Sequence, residues 1–279
     1  MAVLLCSADT AAGQASLIVK SGPSAYGTPR AVPTGRGPLL VVQCPGGRLY
    51  VAVSVSDEVL VLDPDGAGRG RVRVGWAPGA IAVSPDGRSA VVCERGAGSA
   101  AVLDLSALVG TGGVQVADRV VLGSAHVQPR AVALWGNRAV FACARLDGLP
   151  VLDLAGGRVE EWVWLPVAGA APAGIAVTAE GGYALVTLER AGVLAVVDLL
   201  EWTVTRLVPL GAGPRGVVVD PVDATVYCAL AGQGALAVVH LDGVDLSNVD
   251  GTPQFEEIPV GVGPSSVALV HVDDPVPAR

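Results

Sequence analysis

The side chains best suited to chemistry in this sequence are two glutamates, each followed by an arginine. They form the dipeptides Glu94-Arg95 and Glu189-Arg190, and an apolar run precedes each of them. A carboxylate that is half-buried beside apolar residues can act as a general acid or base near neutral pH, although a neighbouring arginine favours its charged form. We therefore predict catalytic roles for Glu94 and Glu189. The alternative is a charged rim that water solvates.

Two further arginines, Arg130 and Arg215, are suited to holding an anion. Each follows a proline that opens a repeated apolar segment, so the two occupy equivalent places in different repeats. The planar guanidinium of arginine matches a carboxylate or a phosphate. We predict that Arg130 and Arg215, together with Arg95 and Arg190, bind a small-molecule substrate through its carboxylate. The alternative is that each arginine pairs with one of the two glutamates.

His126 and Trp76 complete the candidate site. His126 is one of only three histidines and stands in a long segment between apolar runs. Imidazole transfers protons readily at neutral pH, so we predict a catalytic role for it. Trp76 stands in the corresponding segment of another repeat and can stack on a planar substrate. A plain surface position is the alternative for His126.

The sequence predicts neither a metal nor another cofactor. Hard cations such as calcium take oxygen ligands, and the two asparagines that could supply side-chain carbonyl oxygens, Asn137 and Asn248, fall outside the candidate segments. The histidines His126, His240 and His271 are too scattered for a three-histidine centre. The glycines recur at turns and not in a phosphate-binding loop, and no G-x-S-x-G nucleophile elbow occurs.

The elements that must position these residues are short apolar strands in a repeating order. Each repeat contains four Val-rich or Ala-rich runs, as at 80–84, 89–94, 99–104 and 119–123, with Pro, Gly and Asp between them. No stretch keeps apolar residues at helical spacing for long, so almost no helix is expected. A period of roughly 40 to 50 residues is typical of repeat architectures. The repeats open at Pro38, Pro78, Pro129, Pro172, Pro214 and Pro264.

These repeats resemble the YVTN-type β-propeller family. The resemblance rests on Arg-Leu-Tyr-Val-Ala-Val at 48–53, Val-Leu-Val-Leu-Asp at 59–63 and the turn Ser-Pro-Asp-Gly at 84–87, and it covers nearly the whole chain. It implies that the loops carrying the candidate residues gather at one mouth of a central channel. The family commonly has an asparagine at the end of the second strand, and this chain departs from that pattern.

The repeat count predicts an all-β fold, a six-bladed β-propeller of four-stranded antiparallel blades in a single domain, 1–279. Five complete blades begin at about residues 38, 78, 129, 172 and 214. The sixth blade is shared between 1–35 and 261–279, so that joining the N- and C-terminal strands closes the ring and leaves no open sheet edge.

The composition and the net charge limit which partners and which compartment we expect for the protein. The net charge is −8, which disfavours nucleic acid and anionic membranes, and no apolar run is long enough to span a bilayer. The first residues carry no basic region, so we expect a cytoplasmic protein. The five cysteines show no paired motif and are expected to be buried, reduced side chains. Trp162, Trp164 and Trp202 are predicted on outer strands, where they could support a homo-oligomer.

Two classes of function fit these residues. The first is a metal-independent enzyme of bacterial specialised metabolism that performs a Pictet–Spengler-type condensation and cyclisation, by fold-level analogy with strictosidine synthase. In it Glu94 or Glu189 transfers protons, Arg130 or Arg215 holds the carboxylate and Trp76 stacks on an aromatic ring. A lyase or ring-opening hydrolase would use the same parts. The second class is a non-catalytic ligand-binding or protein-interaction scaffold.

Overall fold

The computed structural model describes residues 3–9, 14–20, 30–34, 37–43, 48–63, 67–106, 113–178, 180–220, 225–241 and 255–267. The regular elements in these ranges are β-strands, and the ranges contain no α-helix. The expected all-β class is therefore confirmed. No helix long and apolar enough to cross a bilayer occurs in these ranges.

The strands form one three-stranded and five four-stranded antiparallel sheets. The first sheet contains β1 (Val3–Asp9), β2 (Gln14–Lys20) and β3 (Arg30–Pro33). The second contains β4 (Pro38–Gln43), β5 (Leu49–Val53), β6 (Glu58–Leu62) and β7 (Gly68–Arg73). The third contains β8 (Pro78–Val83), β9 (Ser89–Glu94), β10 (Ser99–Asp104) and β11 (Gln115–Val121). The fourth contains β12 (Pro129–Trp135), β13 (Arg138–Cys143), β14 (Gly148–Asp153) and β15 (Arg158–Trp164). The fifth contains β16 (Pro172–Val177), β17 (Tyr183–Leu188), β18 (Val193–Asp198) and β19 (Thr203–Pro209). The sixth contains β20 (Pro214–Val219), β21 (Thr225–Leu230), β22 (Ala235–His240) and β23 (Phe255–Pro259).

The predicted order of four strands per repeat is confirmed in five sheets. The outermost strands differ most from the expectation, since β11 begins at Gln115 and not at residue 119. The predicted strand at 266–270 is not found in its described part, because residues 264–267 are not in a strand. Residues 268–270 lie outside the described residues. The number of blades and the closure of the ring stay predictions.

The chain divides into two compact units. One comprises residues 1–96, 101–118 and 270–279, and the other comprises 97–100 and 119–269. In each unit the two middle strands of a sheet are buried along their length, as at Val51 in β5 and Val186 in β17. Burying a Val or Leu side chain contributes about 1.5 to 3 kcal/mol, so these strands hold the core of each unit. The prediction of a single domain stays a prediction.

Every repeat opens with the same unusual backbone step. The residue before the opening proline has a positive φ at all six places, which are Gly37 (78°), Ala77 (52°), Gln128 (52°), Ala171 (55°), Gly213 (66°) and Gly263 (64°). At five of these the carbonyl of that residue accepts the first N–H after the second strand, as Ala77 accepts from Arg95. At these five places the hydrogen bond fixes the turn from which the first strand of the repeat begins.

The cysteines that are described behave as small apolar residues. Cys93, Cys143 and Cys228 are buried and form no disulfide. Burial raises the pKa of the Cys143 and Cys228 thiols to about 12, so neither forms a reactive thiolate at neutral pH. The prediction that the cysteine side chains are buried is confirmed for these three. The side chains of Cys6 and Cys44 lie outside the described residues.

The tryptophans divide into two groups. Trp162 and Trp164 lie on β15 with parallel rings 5.8 Å apart, and Trp164 is largely exposed. The placement of Trp202 on an outer strand was wrong by one residue, because it precedes β19 in a turn with a φ of 54°. Its ring packs edge-on against Trp135, which half-buries it within its own unit. The homo-oligomer through outer-strand tryptophans stays a prediction.

The positive φ before each proline predicts the effect of two substitutions. Changing Ala77 to Gly should raise the free energy of unfolding by about 1 kcal/mol, because a left-handed conformation costs an L-residue more than the added freedom of the unfolded glycine. The reverse change, Gly263→Ala, should lower it by about the same amount, because its φ of 64° strains an L-residue. No atom lies within 4 Å of the added Cβ, so no clash adds to that cost. Chemical denaturation measures both, and a loss of stability in Ala77→Gly would contradict this account.

Candidate functional site

Two of the predicted arginines hold one of the predicted glutamates. Arg130 is the second residue of β12, Arg215 is the second residue of β20, and Glu189 directly follows β17. Nη1 of Arg130 donates to Oε2 of Glu189, and Nε of Arg215 donates to Oε1 at 2.9 Å. We call these three residues the Arg–Glu–Arg cluster. The alternative in which the arginines pair with a glutamate therefore applies to Glu189.

The Arg–Glu–Arg cluster carries one positive charge in excess. Burial alone would raise the pKa of the Glu189 carboxyl, but the hydrogen bonds and charges of Arg130 and Arg215 outweigh it and hold the pKa below its usual range. Glu189 is therefore a carboxylate at neutral pH and has no proton to donate. Its side chain is 19% exposed, whereas those of Arg130 and Arg215 are 34% and 43% exposed. Each arginine uses one nitrogen on Glu189 and keeps further N–H donors near solvent.

The backbone of Arg215 is held by the same strand that carries Glu189. Thr187, on β17, is fully buried, and its Oγ1 donates to the carbonyl oxygen of Arg215. Oγ1 also accepts the N–H of Gly174, on β16, at 2.8 Å. A Cβ on Gly174 would overlap the Arg215 carbonyl oxygen, so this close approach requires glycine. Thr187 near the end of β17 and Glu189 just after it thus hold the backbone and the side chain of Arg215, respectively.

The two glutamate–arginine dipeptides are not equivalent in the structure. Glu94 pairs with the opening proline Pro78, whereas the residue that pairs with Pro172 is Leu188 and not Glu189. Glu189 thus corresponds to Arg95, and both of these residues donate their N–H to the residue before the opening proline. Because side chains alternate along a strand, a shift of one residue turns the two glutamates to opposite faces. The two dipeptides therefore occupy places one residue apart in their sheets.

Glu94 has a structural contact in the first unit. Its side chain is fully buried, and Oε1 accepts the N–H of Gly75 at 2.6 Å. A Cβ on Gly75 would lie 2.5 Å from the Glu94 carboxylate, so that glycine is needed for the contact. With no exposed surface, Glu94 is out of reach of a substrate in this conformation. Its predicted catalytic role stays without support from the geometry.

The remaining candidates are accessible. His126 is exposed in the segment before β12, where its backbone N–H donates to Oγ of Ser124 at 3.4 Å. Arg190 is exposed directly after Glu189, Arg95 is half-buried, and Trp76 is 67% exposed. Trp76, Glu94 and Arg95 belong to the first unit, whereas the candidates from His126 onward belong to the second. His271 and Asn248 lie outside the described residues.

Sequence reasoning missed Thr187 and Gly174. A signal for Thr187 was present, because it is a hydroxyl residue inside an apolar strand, whereas the equivalent places in the other sheets hold Ala52, Cys93, Ala142 and Ala229. No sequence signal showed which carbonyl oxygen its hydroxyl reaches. The described part of the chain contains no group of three His, Cys, Asp or Glu side chains that could hold a metal ion.

Comparison with known proteins finds similarity only at the level of structure. The sequence matches no family model and no curated protein. The structure of the hydrazine synthase of Kuenenia stuttgartiensis is similar, with a TM-score of 0.77 and 20% sequence identity. The alignment covers 95% of this chain and 85% of the hydrazine synthase chain. Also similar is a catalytically inactive His-to-Ala variant of virginiamycin B lyase from Staphylococcus aureus, solved with quinupristin, with a TM-score of 0.73 and 11% sequence identity. The alignment covers 98% of this chain and 89% of the lyase chain. The β-propeller domain of Cps50 (Swd1) from Myceliophteria thermophila is similar, with a TM-score of 0.64 and 14% sequence identity. The alignment covers 79% of this chain and 71% of the Cps50 chain.

These matches concern the fold. They place a β-propeller domain among the structures similar to this chain, in agreement with its antiparallel four-stranded sheets. Identities of 11% to 20% are too low to carry an activity from one protein to another.

Thr187 provides a test of how Arg215 is held. Thr187→Val keeps the shape of the side chain but leaves the Gly174 N–H and the Arg215 carbonyl without this hydroxyl, so the free energy of unfolding should fall by about 1 to 3 kcal/mol. Thr187→Ser keeps the hydroxyl and should cost less. Urea denaturation compares the two variants. If Thr187→Val were as stable as Thr187→Ser, the hydroxyl would not be the contact that matters.

Proposed function

We propose that this protein is a small-molecule enzyme that binds an anionic group of its substrate, a carboxylate, at the Arg–Glu–Arg cluster. One observation carries the proposal. Two arginines from equivalent places in different sheets converge on a single carboxylate and retain N–H donors at partly exposed guanidiniums. A cluster with excess positive charge and spare donors attracts an anion.

The strength of such a site can be bounded. A hydrogen bond to a charged group contributes about 1.5 to 3 kcal/mol, so two of them correspond to dissociation constants from several millimolar to tens of micromolar. That range suits a contact that orients a substrate, with the rest of the affinity supplied by the remainder of the molecule. Glu189 keeps the two guanidiniums in place before the substrate arrives and so reduces the cost of ordering them.

Proton transfer in this proposal is assigned to His126. Glu189 is held as a carboxylate by two arginines, and Glu94 has no exposed surface, so neither is suited to exchange a proton with a substrate. His126 is exposed, lies in the same unit as the Arg–Glu–Arg cluster and stands shortly before Arg130 in the chain. Its imidazole can take a proton from carbon or return one to a leaving group.

A ring-opening lyase is the reaction we favour. In such an elimination a base takes a proton from carbon, the electron pair of that C–H bond forms a double bond, and the leaving oxygen departs with the electrons of the broken C–O bond. The structural likeness to virginiamycin B lyase, a protein inactivated by a single His-to-Ala change, favours a histidine as the base. The Pictet–Spengler-type condensation relied on proton transfer by Glu94 or Glu189, and the surroundings of both glutamates weigh against that assignment.

Binding and turnover can be tested on separate residues. Arg130→Gln and Arg215→Gln should each weaken the binding of small carboxylates by about tenfold or more, as measured by calorimetry, while the matched amides bind weakly to every variant. His126→Ala should keep the affinity and lose turnover. Arg158→Gln is the matched control, because Arg158 is exposed on the outer strand β15.

Turnover is followed by mass spectrometry of carboxylate-bearing cyclic esters incubated with the protein. Elimination leaves the mass of the ring-opened product unchanged, hydrolysis adds one water, and a condensation of amine with aldehyde loses one water. Carboxylate binding without any product would favour the non-catalytic ligand-binding alternative. Equal binding by wild type and both arginine variants would contradict the proposal.

A further inference from the structure

The loop that carries Trp76 exposes a large aromatic ring while four hydrogen bonds hold its backbone. The N–H of Gly75 donates to Glu94, and the N–H of Ala77 donates to Oδ1 of Asp57 at 2.9 Å. The carbonyl of Trp76 accepts the N–H of Gly96 at 3.0 Å, and that of Ala77 accepts the N–H of Arg95 at 3.2 Å. Two carboxylates and two backbone hydrogen bonds therefore fix the backbone around Trp76, whose side chain is 67% exposed.

One face of the Trp76 ring rests on a glycine. A Cβ on Gly96 would lie 2.5 Å from Cδ2, 2.8 Å from Cε3 and 2.8 Å from Cγ of the indole. Three ring atoms at similar distances mean that the ring lies flat over Gly96, which leaves its other face open. Any side chain at residue 96 would push the ring away. The structure thus presents a fixed aromatic surface, which is the arrangement that stacking on a planar group requires.

Arg95 directly precedes Gly96 and pairs through its backbone N–H with Ala77, next to Trp76, and its guanidinium is not satisfied. Its Nε atom is buried and has no hydrogen-bond partner among the described residues. The equivalent place in the second unit holds Glu189, whose charge is paired with two arginines. Buried polar groups in native proteins are almost always paired, so an unpaired guanidinium N–H on the residue next to the glycine that supports the ring indicates a missing anionic partner.

We infer that Trp76 and Arg95 form a binding site for a planar aromatic ring that bears a carboxylate. The ring stacks on the open face of Trp76, and the carboxylate accepts hydrogen bonds from the Arg95 guanidinium. Gly96 is the residue that allows the platform, and Glu94 and Asp57 hold it still. This site consists of residues of the first unit alone, so it does not depend on the Arg–Glu–Arg cluster of the second unit.

The test uses three matched probes. 2-Naphthoate has both ring and charge, 2-naphthamide lacks the charge, and cyclohexanecarboxylate lacks the aromatic face. Binding is measured by calorimetry in a protein that carries Arg130→Gln and Arg215→Gln, so that the Arg–Glu–Arg cluster does not contribute. 2-Naphthoate should bind about tenfold tighter than either of the other two probes.

Single-residue variants then show which side chains bind the probe. Trp76→Ala and Gly96→Ala should each weaken 2-naphthoate binding by about 5-fold to 10-fold, and Arg95→Gln should remove the preference for 2-naphthoate over 2-naphthamide. Trp164→Ala is the matched control, because Trp164 is 70% exposed on β15. Unfolding curves and circular dichroism confirm that each variant is folded, and Trp76→Phe, which keeps an aromatic face, should retain most of the affinity.

Several outcomes would overturn the inference. These are no binding of 2-naphthoate, equal binding of all three probes, unchanged affinity in Trp76→Ala, or an equal loss in Trp164→Ala. If wild type binds 2-naphthoate and the protein with Arg130→Gln and Arg215→Gln does not, the probe binds at the Arg–Glu–Arg cluster and the site at Trp76 is rejected. A concentration-dependent change in mass that Trp76→Ala abolishes, without probe binding, would make Trp76 a contact between copies of the chain.

Discussion

The attraction between two arginines and one glutamate connects three consecutive sheets of the second unit. Arg130 comes from the sheet of β12, Glu189 from the end of β17 and Arg215 from β20, so each residue belongs to a different sheet. The buried hydroxyl of Thr187 adds a second tie between the last two. A partly buried ion pair costs desolvation, and the excess positive charge left here is the feature that a structural contact alone would not need. The proposed anion site follows from that excess.

The register of the second strand determines which charged side chain is available. The position after that strand holds Glu189 in one sheet and Arg95 in another, and each side chain is half-buried. Glu94, one residue earlier, turns inward and fixes a loop. The same dipeptide, glutamate followed by arginine, therefore has different roles in the two sheets. Glu189 belongs to a candidate binding site, whereas Glu94 holds a turn, because successive side chains along a strand point to opposite faces.

The fold could be predicted further than the site. Strand order followed from turn residues and apolar runs that recur with the opening prolines, and these signals are local. The offset between the glutamates was also readable, since Glu94 stands one residue closer to Pro78 than Glu189 does to Pro172. The contact of Thr187 with Arg215 joins residues of different sheets, and the resting of Trp76 on Gly96 depends on the course of two loops. Neither has a local signature, because both depend on how backbone segments far apart in sequence approach one another.

The central claim is that Arg130 and Arg215 keep N–H donors for an anion while they hold Glu189. The most direct measurement is the 15N–1H spectrum of the arginine side chains during a titration with a small carboxylate, with the signals assigned from Arg130→Gln and Arg215→Gln. The account predicts that the signals of both arginines move together and saturate at one dissociation constant, while that of Arg158 stays in place. Signals of Arg130 and Arg215 that remain fixed while other arginines respond would contradict it.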